Sequence, residues 1–236
     1  VKISSLLVRP PVRARHVKRT YVSSLDDRPG APTREVVLLA LEAARRALDV
    51  DLAPISRRIP AGPRWPDLWP GEHYRLLAAL VDRLQPRLVV EVGTFTGLSA
   101  LALKHRLPDS GRVVSFDLIP WDRVPGTVLT AEDFQDGRLV QILGNLAQPD
   151  CFAQHAPLLA EATLIFLDGP KDGHFEPALY RQLQALRRRT PAWVVWDDIL
   201  DRHMLQFWRD IALPKLDLTS FGHWTGTGLM LWPATP

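Results

Sequence analysis

The sequence predicts an α/β fold: a mostly parallel sheet covered by helices on both faces, ending in an antiparallel strand pair at one edge and preceded by an N-terminal helical cap. Three observations carry this. From residue 88 onward, short apolar runs rich in β-branched and aromatic residues alternate with helical stretches, the pattern of parallel strands buried on both faces. The last two apolar runs flank a glycine-rich turn with no room for a helix, so they are expected to pair antiparallel. The chain has 236 residues, 46% hydrophobic and 23% charged, which suits a compact domain with a sizeable core.

Residues 1–32 show no clear period and carry several prolines, so they are expected to form an extended arm. Val37, Leu41, Ala44 and Leu48 then recur at helical spacing, predicting an amphipathic helix from Thr33 to about Asp49. Pro54, Pro60, Pro63, Pro66 and Pro70 argue for a loop, whose Trp65 and Trp69 can cover a pocket. A second helix runs from Gly71, with Tyr74, Leu77, Val81 and Leu84 on one face, and Pro86 stops it. Strands are expected at Leu88–Val92, Val113–Phe116, Leu139–Leu143, Thr163–Leu167 and Trp193–Trp196. Helices are expected near 97–107, 149–160, 174–189 and 199–211, and the edge pair at Leu216–Phe221 and Leu229–Trp232. These make seven strands, divided into a cap over 1–70 and a ligand-binding domain over 71–236.

Composition excludes several classes. Cys151 is alone, so no intramolecular disulfide framework or cysteine-rich zinc site can form, and a cytoplasmic setting is expected. No apolar run approaches the roughly 18 residues of a membrane span. The net charge of +3 allows an anionic ligand without demanding nucleic acid. Basic residues gather at Arg9, Arg13, Arg15, Lys18 and Arg19 and again at Arg187–Arg189, but no aromatic residues alternate with them as a stacking platform would require. Both runs therefore read as solvated surface.

The chemistry concentrates at the strand ends. The first strand runs Glu91-Val92-Gly93-Thr94-Phe95-Thr96-Gly97-Leu98-Ser99 into a helix, and glycines in such a turn let a ligand approach the backbone. This is not the G-x-G-x-x-G of a dinucleotide site, and Glu91 would repel a diphosphate, so a cationic, phosphate-free ligand fits better. Asp117 ends the second strand, where a carboxylate can accept both hydroxyls of a ribose diol. Gly144-Asn145-Leu146 follows the third. Asp168 ends the fourth, with Lys171 three residues on, and Asp197-Asp198 ends the fifth. On neighbouring strands about 4.8 Å apart these three carboxylates would converge and repel unless a cation sat among them. All-oxygen ligation favours Mg²⁺, with Ca²⁺ and Mn²⁺ as alternatives.

These motifs resemble the class I S-adenosylmethionine-dependent methyltransferases, and among them the metal-dependent catechol and caffeoyl-CoA O-methyltransferases. The resemblance covers about residues 71–232 and implies a Rossmann-like, doubly wound sheet. It implies that Glu91, Gly93, Thr94, Phe95, Gly97, Ser99, Asp117, Asn145, Leu146 and Asp168 surround the cofactor. It further implies that Asp168, Asp197 and Asp198 hold the metal and that Lys171 is the catalytic base. The chain departs from the family where Asp198 replaces the usual asparagine and Gly169-Pro170 replaces a bulkier pair. The expected reaction is methyl transfer to a hydroxyl of a small, aromatic or natural-product molecule. The arm and cap point to a homodimer. Two other readings stay open: a methyltransferase acting on RNA or another polymer through the basic arm, and a non-catalytic binding or scaffold protein. His73, His105, His155, His174, His203 and His223 show no shared zinc-type spacing and read as surface or satisfied core.

Overall fold

A computed structural model of the protein describes residues 30–235. Most of the expected arm, with its basic cluster Arg9–Arg19, lies outside the described residues. Helix α1 (Arg34–Ala47) starts where Thr33 Oγ1 accepts from Val36 N, and its apolar stripe of Val36, Leu39, Ala40 and Ala43 is buried. The proline-rich segment is more ordered than expected: α2 (Ala53–Ser56) and a 3₁₀ turn at Trp65–Asp67 interrupt it, each with a proline in its first turn, where the missing N–H costs nothing. Helix α3 (Tyr74–Leu84) ends at Gln85 in a left-handed conformation.

The remaining elements are β1 (Leu88–Val92), α4 (Leu98–His105), β2 (Arg112–Asp117), α5 (Glu132–Gln135), β3 (Leu139–Leu143), α6 (Pro149–Glu161), β4 (Leu164–Leu167), α7 (Phe175–Ala185), β5 (Ala192–Asp197), α8 (Leu205–Asp210), β6 (Lys215–Asp217) and β7 (Thr227–Trp232). They form one seven-stranded sheet in the order β3-β2-β1-β4-β5-β7-β6. The β1–β5 pairings are all parallel, and β7 runs antiparallel to both β5 and β6. The order reverses between β1 and β4, the switch point outside which open α/β sheets bind ligands.

Strand alternation builds two cores. Val89, Val113, Leu164, Phe166 and Val195 join Val36, Leu39, Leu76, Leu80 and Leu103 on one face. Their neighbours Val90, Val114, Ile165 and Val194 join Phe152, Leu159, Leu179, Leu183 and Trp208 on the other. Residues of α1 thus share a core with the sheet itself.

Two helix boundaries depart furthest from expectation. Residues 199–204 are turns, and only Leu205–Asp210 is helical, because Asp201 Oδ1 accepts from His203 N and offers the backbone a local alternative. Helix α7 stops at Ala185, short of the basic run. Within that run Arg187 and Arg189 are exposed, but Arg188 is buried, correcting its reading as solvated surface. Its guanidinium donates to the carbonyls of Leu159 and Ala162 at the end of α6, satisfying acceptors that the helix leaves over.

Candidate active site at the strand ends

The turn after β1 depends on its glycines. Gly93 has φ 100°, and a Cβ there would run into the Asp168 carbonyl oxygen, so only glycine lets the ends of β1 and β4 meet. Phe95 follows with φ 40° and its ring 69% exposed, and its N–H donates to Asp117 Oδ2 at 2.9 Å. The other Asp117 oxygen accepts from Leu118 N (2.7 Å) and Ile119 N (3.1 Å). The carboxylate is thereby fixed at the mouth of β2.

A cavity of about 740 Å³ opens over these strand ends. Gly93, Phe95, Asp117, Asn145 and Asp168 line it, with Asp172, His174 and Phe175 closing the far side. Asp172 is also a cap: its Oδ1 accepts from His174 N and Phe175 N at the start of α7. Asn145 makes a similar turn, accepting from Ala147 N.

Five sequence-predicted cofactor residues are not among those lining the cavity: Glu91, Thr94, Gly97, Ser99 and Leu146. Leu146 is buried in the core. Glu91 is fully buried and accepts from Ser115 Oγ, which also pairs with Thr94 Oγ1 at 2.7 Å. Burial pushes the Glu91 carboxyl up to about 7, against the Ser115 and Ser99 hydroxyls that favour its charged form. These residues support the turn from beneath.

Beside the cavity the predicted charged groups do converge. Lys171 Nζ donates to Asp168 Oδ1 (2.7 Å) and to the Gly169 carbonyl (2.8 Å) and stands 3.5 Å from Asp198 Oδ2. One oxygen each from Asp168, Asp197 and Asp198 falls within a 4.8 Å cluster. Burial opposes the charge on Lys171, but the three carboxylates outweigh it and hold the ammonium above its usual range. The close turn needs Gly169, where a Cβ would strike the Phe175 ring.

The structure adds two histidines that sequence spacing did not single out. His73, at the start of α3, and His223, in the β6–β7 connection, both face Asp197: His73 Nδ1 is 3.2 Å from Oδ1 and His223 Nδ1 is 3.3 Å from Oδ2. Thr225 Oγ1 lies 2.7 Å from His223 Nδ1 and also donates to Asp198 Oδ1. Glu72 Oε1 stands 3.7 Å from His223 Nε2. Despite burial, Asp197 and Asp198 push the His223 imidazole up to about 10. Burial raises Asp197 less than His73, His223 and Lys171 lower it, so it stays well below the usual carboxylate range.

Backbone strain marks the same place. Among the described residues, five non-glycine residues have positive φ, and four of them, Glu72, Phe95, Lys171 and Asp198, belong to this site. Such conformations cost about 1–3 kcal/mol each and persist where surrounding structure enforces them. A second cavity of about 280 Å³ lies on the other side of Phe95, with Trp65, Tyr74 and Glu72 in its wall. Trp69, expected with Trp65 to cover a pocket, is mostly exposed, as is Trp224, and Trp121 stacks on Phe134.

The sequence profile of the O-methyltransferase family matches residues 68–200, more than half of the chain and all of β1 to β5. The chain belongs to this family. Tricin synthase 2 of Oryza sativa subsp. japonica is 35% identical over 85 residues, a match spanning 33% of this chain but only 29% of that protein. The solved O-methyltransferase TomG from Streptomyces achromogenes superposes with a TM-score of 0.52 at 21% identity, covering 84% of this chain and 90% of that one. An O-methyltransferase from Bacillus cereus, solved in complex with SAH, gives 0.52 at 18% identity over 94% of this chain and 96% of that one. At such identities these structures establish that the O-methyltransferase fold is shared.

Proposed function

We propose that this O-methyltransferase moves the methyl group of S-adenosylmethionine to a hydroxyl of a small, aromatic or natural-product acceptor. In this reading a divalent cation sits on Asp168, Asp197 and Asp198, and Lys171 receives the proton. The observation that carries it is the placement of Asp168, which belongs both to the wall of the 740 Å³ cavity and to the carboxylate cluster around Lys171. A cofactor cavity and a charged reaction centre therefore meet at one residue.

The residues fit both groups. The cavity lies within the range of about 300–1,000 Å³ usual for such ligands, and Asp117 offers a fixed carboxylate for a diol. One oxygen each from Asp168, Asp197 and Asp198 falls within a 4.8 Å cluster, which suits a hard cation held by carboxylates. When bound, the cofactor supplies a methyl group on a positive sulfur, and the cation supplies Lewis acidity and a fixed seat for acceptor oxygens.

The chain supplies the rest. Gly93 admits the ligand close to the backbone, and Phe95 separates the cofactor cavity from the smaller one, whose Trp65 and Tyr74 suit a flat acceptor. Orientation of the two reactants across this wall supplies much of the rate. Methyl transfer to the acceptor hydroxyl would release its proton, and Lys171 Nζ, once neutral, is the group placed to receive it. In the structure as described, Lys171 is an ammonium held by Asp168 and Gly169, so it would serve as base only after a cation on the carboxylates had displaced its charge and Nζ had given its own proton to solvent.

The test is methyl transfer from labelled S-adenosylmethionine to a catechol probe, with the EDTA-treated protein and with Mg²⁺ restored. Transfer restored by Mg²⁺ supports the reading. Full transfer without any divalent ion removes the metal from it.

A further inference from the structure

The cluster around Asp197 has two sides, and they differ in one respect. On the Asp168–Asp198 side the structure already places a cation, the Lys171 ammonium at 2.7 Å. On the other side stand two imidazoles. There His73 Nδ1 and Asp197 Oδ1 are both buried and both lack a hydrogen-bond partner. They are 3.2 Å apart, close enough to bond but without the required angle. His73 and Asp197 are 3% and 2% exposed, so water does not satisfy these atoms from bulk solvent.

We infer that His73, Asp197 and His223 form a cation site of their own, with mixed nitrogen and oxygen ligands, that takes a borderline transition ion such as Zn²⁺. One atom from each of the three residues lies within a 4.8 Å cluster. Ligands about 2.1 Å from a tetrahedral ion stand about 3.4 Å from one another. The separation of His73 Nδ1 from Asp197 Oδ1, 3.2 Å, is close to that edge, and His223 Nδ1 stands 3.3 Å from the other oxygen of the same carboxylate. The His73 and His223 rings meet edge to face, their centroids 5.5 Å apart and their planes at 83°. His223 is half-buried rather than sealed, and Thr225 Oγ1 lies beside it, so a fourth position remains for this hydroxyl or for water. Imidazole favours Zn²⁺, Co²⁺ and Cu²⁺ where carboxylates alone favour Mg²⁺.

Local structure holds the histidines in place for this. Gly222 permits the tight approach to Thr227, whose Oγ1 accepts from His223 N at 2.8 Å. His73 is wedged between the rings of Tyr74 and Phe166. Two imidazoles locked about one carboxylate are thus presented before any ion arrives, which lowers the entropic cost of binding.

The site shares Asp197 with the all-carboxylate set, and variants separate the two. The experiment titrates Zn²⁺ into the EDTA-treated full chain by calorimetry and records the Cu²⁺ complex by electron paramagnetic resonance. One tight equivalent with nitrogen coupling is expected in the wild type and in Asp168→Asn. His73→Gln and His223→Gln should each weaken binding by more than the roughly 10- to 100-fold that loss of an outer partner costs. Should His73→Gln fail to fold, the less buried His223→Gln carries the test alone. Absence of nitrogen coupling, or binding lost in Asp168→Asn and kept in His223→Gln, overturns the site. The readout is metal binding alone, so failure of methyl transfer leaves it standing.

Discussion

Lys171 is held by two bonds that fix where its charge lies, one to Asp168 and one to the Gly169 carbonyl. Replacing it with alanine should abolish methyl transfer while leaving cofactor affinity within about threefold, since Lys171 does not line the cofactor cavity. An active variant in a methyl-transfer assay removes lysine from the mechanism. Glu91 makes a different prediction. Its folded carboxyl titrates near 7 against a reference of 4.5, so between these values the folded chain holds a proton that the unfolded chain has lost. Stability from this group is therefore fully present below about pH 4.5 and is lost as pH rises through about 7. In thermal melts Glu91→Gln should flatten that decline, and an unchanged slope contradicts the assignment. Asp117, Asp168 and Lys171 were legible in the sequence because each sits at or just past a strand end, where position and chemistry coincide. His73 and His223 were not. They lie far apart in the sequence, and only the antiparallel return of β7 beside β5 brings the second to Asp197.

The turns are elements as much as the strands are. Gly93→Ala asks for a left-handed conformation and drives a methyl group into the Asp168 carbonyl, so the ends of β1 and β4 must part. It should weaken cofactor binding by at least tenfold in a calorimetric titration while the folded chain persists, and unchanged affinity would show that the turn does not form the binding wall. Arg188 acts at the other end of the sheet. Hydrogen bonds to a charged group contribute about 1.5–3 kcal/mol each, and Arg188 makes two to the end of α6, so Arg188→Ala should cost about 3–6 kcal/mol in denaturant unfolding without changing the chemistry. Lys215 serves α8 in the same way, donating to the carbonyls of Trp208 and Arg209. Strands were readable because burial on both faces writes a continuous apolar run. The ends of α7 and α8 were not, since Asp201 makes a local turn before α8 and Arg188, just past α7, is committed to the carbonyls of Leu159 and Ala162 at the end of α6. The same blindness applied to 54–70, where prolines begin short helical turns as readily as they prevent long helices.

At the scale of the molecule, one reversal of strand order determines where everything meets. Because β1 and β4 are neighbours and β5 follows, Gly93, Asp168 and Asp197 share one rim, while β2 and β3 extend the cavity toward Asp117 and Asn145. That gathering was foreseeable from alternating strands and helices, and the family match over β1–β5 agrees with it. The presence of a smaller cavity on the other side of Phe95 was not, because Phe95, Trp65 and Glu72 come from separate segments joined only by packing. Among the described residues no helix is long and apolar enough to cross a membrane. The central claim is that the cavity over the strand ends binds S-adenosylmethionine, and calorimetric titration of the purified, EDTA-treated chain with that cofactor tests it most directly. Saturable binding near one equivalent is predicted, weakened at least tenfold in Gly93→Ala. No heat of binding at any concentration or with any added divalent ion would contradict the account.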